Sequence, residues 1–122
     1  MKDLIAVSLI LVIIDVVYLS LIGGKPFVDM VTLIQQEEVK MNHFSAAVAY
    51  ILLVAMMYIF IIKKKASNTE AFLLGLFTYG IFDFTNMALF KNYNLTVALQ
   101  DTIWGGILFT LVNVVFNKII KQ

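Results

Sequence analysis

The chain has 122 residues, of which 61% are hydrophobic, and its formal net charge is +1. This apolar fraction lies far above the roughly 45–50% of a soluble globular domain, so the composition indicates an integral membrane protein with one domain over residues 1–122. The near-neutral charge argues against a nucleic-acid partner, and the absence of cysteine excludes disulfides and thiolate metal sites.

Hydropathy predicts an all-α membrane protein with four transmembrane helices, roughly over residues 4–22, 43–62, 71–90 and 95–116. Each apolar run is close to the ~20 residues that a helix needs to cross a bilayer. The first run follows Lys2 and could be mistaken for a signal peptide. It is long for a signal core, however, and Asp15 interrupts it, so we expect a retained helix.

The segment between the first two spans is the longest connection. Pro26 suits the first turn of a helix. A rough apolar stripe follows it, formed by Phe27, Met30, Val31, Ile34 and Val39. Residues 26–40 are therefore predicted to form a short amphipathic helix that lies in the interface on the outer side of the bilayer.

The two later connections, residues 63–70 and 91–94, are short. They predict that the second and third spans, and the third and fourth, are antiparallel neighbours. The distribution of lysines predicts the orientation of the bundle. Six lysines lie on the side of the two termini, and three lie on the other side, where acidic residues partly offset their charge. The positive-inside rule places both termini in the cytoplasm.

Three aspartates, Asp15, Asp83 and Asp101, lie inside the predicted spans, and no lysine accompanies them there. A carboxylate within a bilayer costs at least ~2.5–3.5 kcal/mol on insertion scales, so such residues usually face the bundle interior. Counting residues from the span ends places all three about 9–11 Å below the outer surface, level with Tyr50. We expect the missing positive charge to come from a bound proton, a hard cation such as Na⁺ or Ca²⁺, or a ligand.

Each aspartate has a polar or aromatic side chain one helical turn away on the same face: Tyr18 for Asp15, Tyr79 and Asn86 for Asp83, and Trp104 for Asp101. Phenol, amide and indole groups can all donate hydrogen bonds to a carboxylate, so these residues are predicted to orient the acids. An alternative is that the aspartates only join the helices through such bonds.

Two further residues have alternative interpretations. His43, at the outer mouth of the second span, is a candidate gate or pH sensor, or a polar residue at a helix start. Asn113, in the inner half of the fourth span, could extend a path inward or form a helix–helix hydrogen bond.

The motifs around the aspartates resemble those of a family of small predicted membrane proteins, domain of unknown function 2177. The matching segments are Tyr79–Asn86 (YGIFDFTN), Asp101–Gly105 (DTIWG) and Asp15–Leu19 (DVVYL). The chain departs from the family pattern at Tyr18, where tryptophan is usual, and at Phe82, where tyrosine is usual. The resemblance implies the membrane architecture and supplies no activity.

The leading hypothesis from the sequence is a proton or cation channel or carrier, with Asp15, Asp83 and Asp101 as its ion sites. Four helices leave little room for a pore, so a homo-oligomer is expected. The alternatives are a membrane-embedded enzyme or lipid-binding protein with an acid–base pocket, which a large apolar pocket beside the aspartates would favour, and a structural subunit. The sequence contains no enzyme motif, although paired aspartates could still act as general acid and base on a lipid. We expect no cofactor.

Overall fold

The computed structural model describes residues 1–120, so Lys121, one of the lysines that support the predicted orientation, lies outside it. These residues form five α-helices: α1 (Lys2–Tyr18), α2 (Gly24–Gln35), α3 (His43–Met57), α4 (Asn68–Leu89) and α5 (Leu95–Ile119). π-Helical turns at Leu19–Gly23 and Tyr58–Ile62 extend α1 and α3. Four helical stretches are long and apolar enough to cross a membrane, namely Lys2–Gln35, which includes both α1 and α2, His43–Ile62, Asn68–Leu89 and Leu95–Ile119. The prediction of four such helices is confirmed, and the bounds of the membrane spans stay predictions.

Side-chain caps fix where three of the helices begin. Asn42 and Asn94 accept hydrogen bonds from backbone N–H groups in the first turns of α3 and α5. Ser67 and Glu70 form a reciprocal capping box at the start of α4. These caps satisfy N–H groups that have no partner within the helix, so local sequence alone sets these boundaries.

The chain bends where α1 meets α2. The Gly24 N–H donates to the carbonyl of Leu19, five residues earlier, which makes the wide turn of a π-helix. A β-carbon on Gly24 would collide with that carbonyl oxygen, and one on Gly23 would collide with the Tyr18 ring. The two glycines therefore permit both the wide turn and the close packing of Tyr18 against it.

Helix α2 crosses the end of the bundle instead of continuing in the direction of α1. A straight helix would carry Phe27 about 18 Å beyond Asp15. Instead, the Phe27 ring centroid lies 6.5 Å from that of Phe82, which lies at the depth predicted for the aspartates. Met30 is buried, and its sulfur lies 3.1 Å from the backbone nitrogen of Asn94. Helix α2 thus covers the ends of α4 and α5.

This helix differs in extent from the predicted segment 26–40. It ends at Gln35, because Gln36 adopts a left-handed conformation with φ of 62°, and residues 36–42 are not helical. Its exposed face carries an ion pair between Lys25 and Asp29. Its location in the membrane interface stays a prediction.

Helices α4 and α5 form the closest pair in the bundle. Gly75 and Gly105 bring the two backbones into contact, and the Tyr79 ring packs directly on Gly105. Small residues allow such approach between membrane helices. The short connection between α4 and α5 therefore joins antiparallel neighbours, as predicted.

The equally short connection between α3 and α4 does not produce close packing. Helix α3 packs against α1, while its contact with α4 is sparse. At one such contact the Thr78 hydroxyl lies 3.6 Å from the Met56 sulfur. A short loop fixes only the adjacent helix ends, so the two helices can diverge above it.

Large apolar side chains fill the half of the bundle that lies toward the chain termini. Those with at most 1% of their surface exposed are Val7, Leu11, Met57, Leu108, Phe109, Val112 and Phe116. Asn113 is buried beside them and donates to the Asn68 side chain at 2.8 Å and to the Ala66 carbonyl at 3.4 Å. These bonds tie α5 to the α3–α4 connection, which fits the interpretation of Asn113 as a helix–helix contact.

Candidate functional site

Asp15 joins three helices. Only 6% of its surface is exposed, and its two carboxylate oxygens accept hydrogen bonds from the Tyr50 hydroxyl at 2.5 Å and the Trp104 indole N–H at 2.8 Å. These donors come from α3 and α5, whereas Asp15 lies on α1. Both oxygens are occupied by donors of the protein itself, so Asp15 acts as a cross-link between helices.

Tyr18 supports this cross-link indirectly. The sequence predicts a bond from Tyr18 to Asp15, but the structure shows the Tyr18 ring stacked on Trp104, with centroids 3.9 Å apart and planes 6° apart. The Tyr18 hydroxyl accepts a hydrogen bond from Gln100 at 3.2 Å. Trp104, predicted as a partner of Asp101, donates to Asp15 instead. The stack holds the indole in the orientation in which it donates.

Asp83 is fully buried and has two donors that the sequence did not predict. The Tyr93 hydroxyl donates to one carboxylate oxygen at 2.8 Å, and the Thr102 hydroxyl to the other at 3.3 Å. Asn86, the predicted partner of Asp83, lies close to the Tyr93 hydroxyl instead. Burial raises the pKa of Tyr93 to about 12, so this phenol remains a hydrogen-bond donor at neutral pH.

Asp101 lies beside Asp83. The two carboxyl groups are within hydrogen-bonding distance of each other, although they belong to different helices. A hydrogen bond between two carboxyl groups requires one proton, because two ionised carboxylates would only repel each other. The pair therefore carries one negative charge when it holds one proton.

The predicted polar layer thus divides into two parts. Asp15, Tyr50 and Trp104 form one group, and Asp83 and Asp101 form the other. No group of three or more acidic, histidine or cysteine side chains able to hold a metal ion occurs within residues 1–120. The three aspartates therefore do not converge on one metal centre in this part of the chain.

A large cavity lies between α3 and α4, where the two helices diverge. It has a volume of about 1110 Å³, and the α1–α2 bend and the segment after α2 close one side of it. Its wall is almost entirely apolar. The residues that line it are Leu19, Gly23, Gly24, Phe27, Val28, Val39, Met41, Ala49, Leu52, Leu53, Ala55, Met56, Ile59, Phe60, Thr78, Tyr79, Phe82 and Asp101.

Asp101 is the one acidic residue in that wall, and it reaches the cavity from α5. Asp15 and Asp83 are not in the wall, although Asp83 lies directly behind Asp101. Tyr79, predicted to orient Asp83, instead lines the cavity beside Asp101. Of the two carboxyl groups in the pair, only that of Asp101 therefore borders the apolar cavity.

His43 lies apart from these groups. It is exposed and is the first residue of α3, directly after the capping residue Asn42. This position fits the interpretation of a polar helix start. Its role as a gate or pH sensor stays a prediction.

A comparison with protein families agrees with this architecture. The family model described as predicted membrane protein (DUF2177) matches residues 1–116. The chain belongs to the DUF2177 family. Searches among curated proteins and among solved structures give no match. For this DUF2177 protein the function therefore has to be inferred from the carboxyl pair and the cavity.

Proposed function

We propose that this DUF2177 protein binds a lipid-like amphiphile in the cavity between α3 and α4. The supporting observation is the cavity itself, whose volume of about 1110 Å³ lies just above the ~300–1,000 Å³ typical of small-molecule sites. Its apolar wall suits a hydrocarbon chain, and Asp101 supplies a polar group that would fix the position of a head group.

The shape of the cavity supports an elongated ligand. Its wall follows α3 and the π-helical turn after it, from Ala49 to Phe60, a distance of about 16 Å. Several lining residues, such as Leu52 and Phe82, are more than half exposed at 63% and 51%, so the cavity opens sideways between the helices. In a bilayer, a ligand would enter from the hydrocarbon region without crossing water.

A pair of adjacent variants tests this proposal. Ala49→Phe adds bulk inside the cavity, whereas Val48→Phe adds bulk beside it, at a residue that is 38% exposed and outside the cavity wall. We expect wild-type protein and Val48→Phe to retain a defined amphiphile through detergent exchange and Ala49→Phe to lose most of it. Mass spectrometry of the extracted molecules measures the retained amount. Equal retention in both variants, or none in the wild type, would rule the proposal out.

Proton or cation handling is the second candidate, because Asp83 and Asp101 are close enough to share a proton. The tightly packed half of the bundle near the termini argues against a channel through a single bundle. Leu11, Phe109 and Phe116 fill it and are at most 1% exposed. Proton flux into liposomes, abolished by Asp83→Asn in folded protein, would favour this candidate over lipid binding.

We further propose that both termini face the cytoplasm, that α2 lies in the outer interface, and that the protein forms a homo-oligomer. The lysine distribution and the ion-paired face of α2 support the first two statements. The large exposed apolar surface of α1, including Leu9 and Ile13 at 59% and 60%, leaves room for a second copy. Cross-linking in native membranes tests the oligomer: a dimer or larger species is expected, and exclusively monomeric protein would contradict it.

Because the chain contains no cysteine, single introduced cysteines report the orientation without background. We expect Asp29→Cys on α2 to react with a membrane-impermeant maleimide in intact cells. Lys64→Cys, in the connection on the opposite side, should react only after permeabilisation. The reverse pattern would invert the proposed orientation.

A further inference from the structure

The polar chemistry of the cavity wall restricts what its ligand can be. Of the residues that line it, only Thr78, Tyr79 and Asp101 carry polar side chains. The Thr78 hydroxyl already donates to the Leu74 carbonyl at 2.7 Å. Asp101 therefore presents the main acceptor, and a ligand head group has to offer hydrogen-bond donors to it.

The charge of the wall restricts the ligand further. None of the described residues in the cavity wall is lysine, arginine or histidine. Within residues 1–120 the one ion pair joins Lys25 and Asp29, both exposed on α2. The negative charge that Asp101 shares with Asp83 thus has no cationic partner from the described part of the protein. An unpaired charge in an apolar medium is costly, so a positively charged head group would be stabilised there.

The contacts of Asp83 leave Asp101 as the member of the pair that a cation can reach. Both Asp83 oxygens already accept hydrogen bonds within the protein, one from Tyr93 and the other from Thr102. A cation approaching from the cavity therefore meets the pair's net negative charge at the Asp101 carboxyl. The same negative charge would repel an anionic phosphate or carboxylate head group.

Aromatic rings add to this preference. Phe27, Tyr79 and Phe82 all line the cavity, and the rings of Phe27 and Phe82 are neighbours at 6.5 Å. Ring faces attract cations, most strongly where water is excluded. The wall therefore combines one acidic group with several rings, a composition found in sites for organic ammonium ions.

On the basis of the proposed function, we infer that the ligand is an amphiphile with a single positively charged amino group, which pairs with Asp101 while its hydrocarbon chain fills the cavity. An uncharged alcohol with the same chain would bind more weakly, since it offers a donor but no charge. An amphiphile with an anionic head would bind most weakly.

Three probes with the same chain test this inference: dodecylamine, dodecanol and dodecanoate. Binding of each to the purified full-length protein in a neutral detergent is measured by native mass spectrometry. We expect dodecylamine to bind about tenfold or more tightly than dodecanol, since losing one partner of a buried charge pair has effects of this size. Dodecanoate is expected to bind more weakly still.

Variants assign the preference to Asp101. Asp101→Asn should remove most of the advantage of dodecylamine over dodecanol, while Asp101→Glu, which keeps the charge, should retain it. Asp15→Asn is the control, because it makes the same change at a second intramembrane aspartate that lies outside the cavity wall. It should bind dodecylamine as the wild type does. Helical content measured by circular dichroism shows whether each variant folds.

The outcomes separate this inference from the proposed function. If all three probes bind equally well and the binding is lost in Ala49→Phe, the cavity binds amphiphiles but the inferred charge preference is wrong. If dodecanol or dodecanoate binds best, the inference is also overturned. If none of the three binds to the wild type, the proposed function itself fails.

Discussion

Gly75→Ala is expected to destabilise the bundle strongly, whereas Gly80→Ala on the same helix is expected to have little effect. A β-carbon on Gly75 would occupy the space of the Gly105 carbonyl group, and backbone atoms cannot move without separating α4 from α5. We expect a loss of about 3 kcal/mol or more in the free energy of unfolding, at the upper end for overpacked sites.

At Gly80 the added carbon would meet only the side chain of Thr102, at 3.2 Å, which can yield by a small shift. Alanine also has a higher helix propensity than glycine by about 1 kcal/mol, which offsets the crowding. Titration with sodium dodecyl sulfate, followed by helical circular dichroism, measures both variants. Equal stability of Gly75→Ala and Gly80→Ala would show that α4 and α5 do not touch at Gly75.

The second large effect is expected at Asp15. Asp15→Ala removes the acceptor for two donors, the Tyr50 hydroxyl and the Trp104 indole, in a buried position. Each unsatisfied donor costs about 1–3 kcal/mol, so we expect a total loss of about 2–6 kcal/mol for the two donors. Asp15→Asn should lose much less, because its oxygen can accept from the indole and its amide can donate to the Tyr50 oxygen.

The fluorescence of Trp104, the only tryptophan, reports this change directly. In the wild type its ring is stacked on Tyr18 and bonded to Asp15. We expect Asp15→Ala to shift the emission spectrum and Asp15→Asn to leave it nearly unchanged. An unchanged spectrum and stability in Asp15→Ala would contradict the role of Asp15 as a cross-link.

The sequence predicted the elements of this protein better than their arrangement. Apolar runs of about 20 residues indicate membrane spans directly. The capping residues Ser67 and Asn94 set the starts of α4 and α5, and hydropathy alone did not identify them. Counting along the spans also placed the aspartates at one depth, and the contacts of Asp15 with Tyr50 and of Asp83 with Asp101 agree with it.

The hydrogen-bond partners of the aspartates could not be predicted in the same way. One-turn spacing within a helix identifies side chains that share a face, but it does not give the rotation of that helix against its neighbours. Trp104 therefore donates to Asp15 across helices, and not to Asp101 in its own helix. The bond from Tyr93 to Asp83 could not be predicted, because Tyr93 lies in a short connection that has no helical periodicity.

The cavity could not be predicted from the sequence for a related reason. It depends on the divergence of α3 from α4 and on the bend between α1 and α2, and both are set by packing between distant segments. The pair Gly23-Gly24 was the one local signal of the bend. Asp101 became distinct from the other two aspartates only once the cavity was located.

Covalent capture in native membranes tests the central claim most directly, because it distinguishes a bound ligand from ordinary bilayer lipid. A photoreactive diazirine amino acid is placed at Leu52, which lines the cavity, or at its neighbour Ile51, which does not. The two residues are equally exposed, at 63% and 65%. Binding in the cavity predicts one dominant adduct mass at position 52 and the mixture of membrane lipids at position 51. The same lipid mixture at both positions would contradict it.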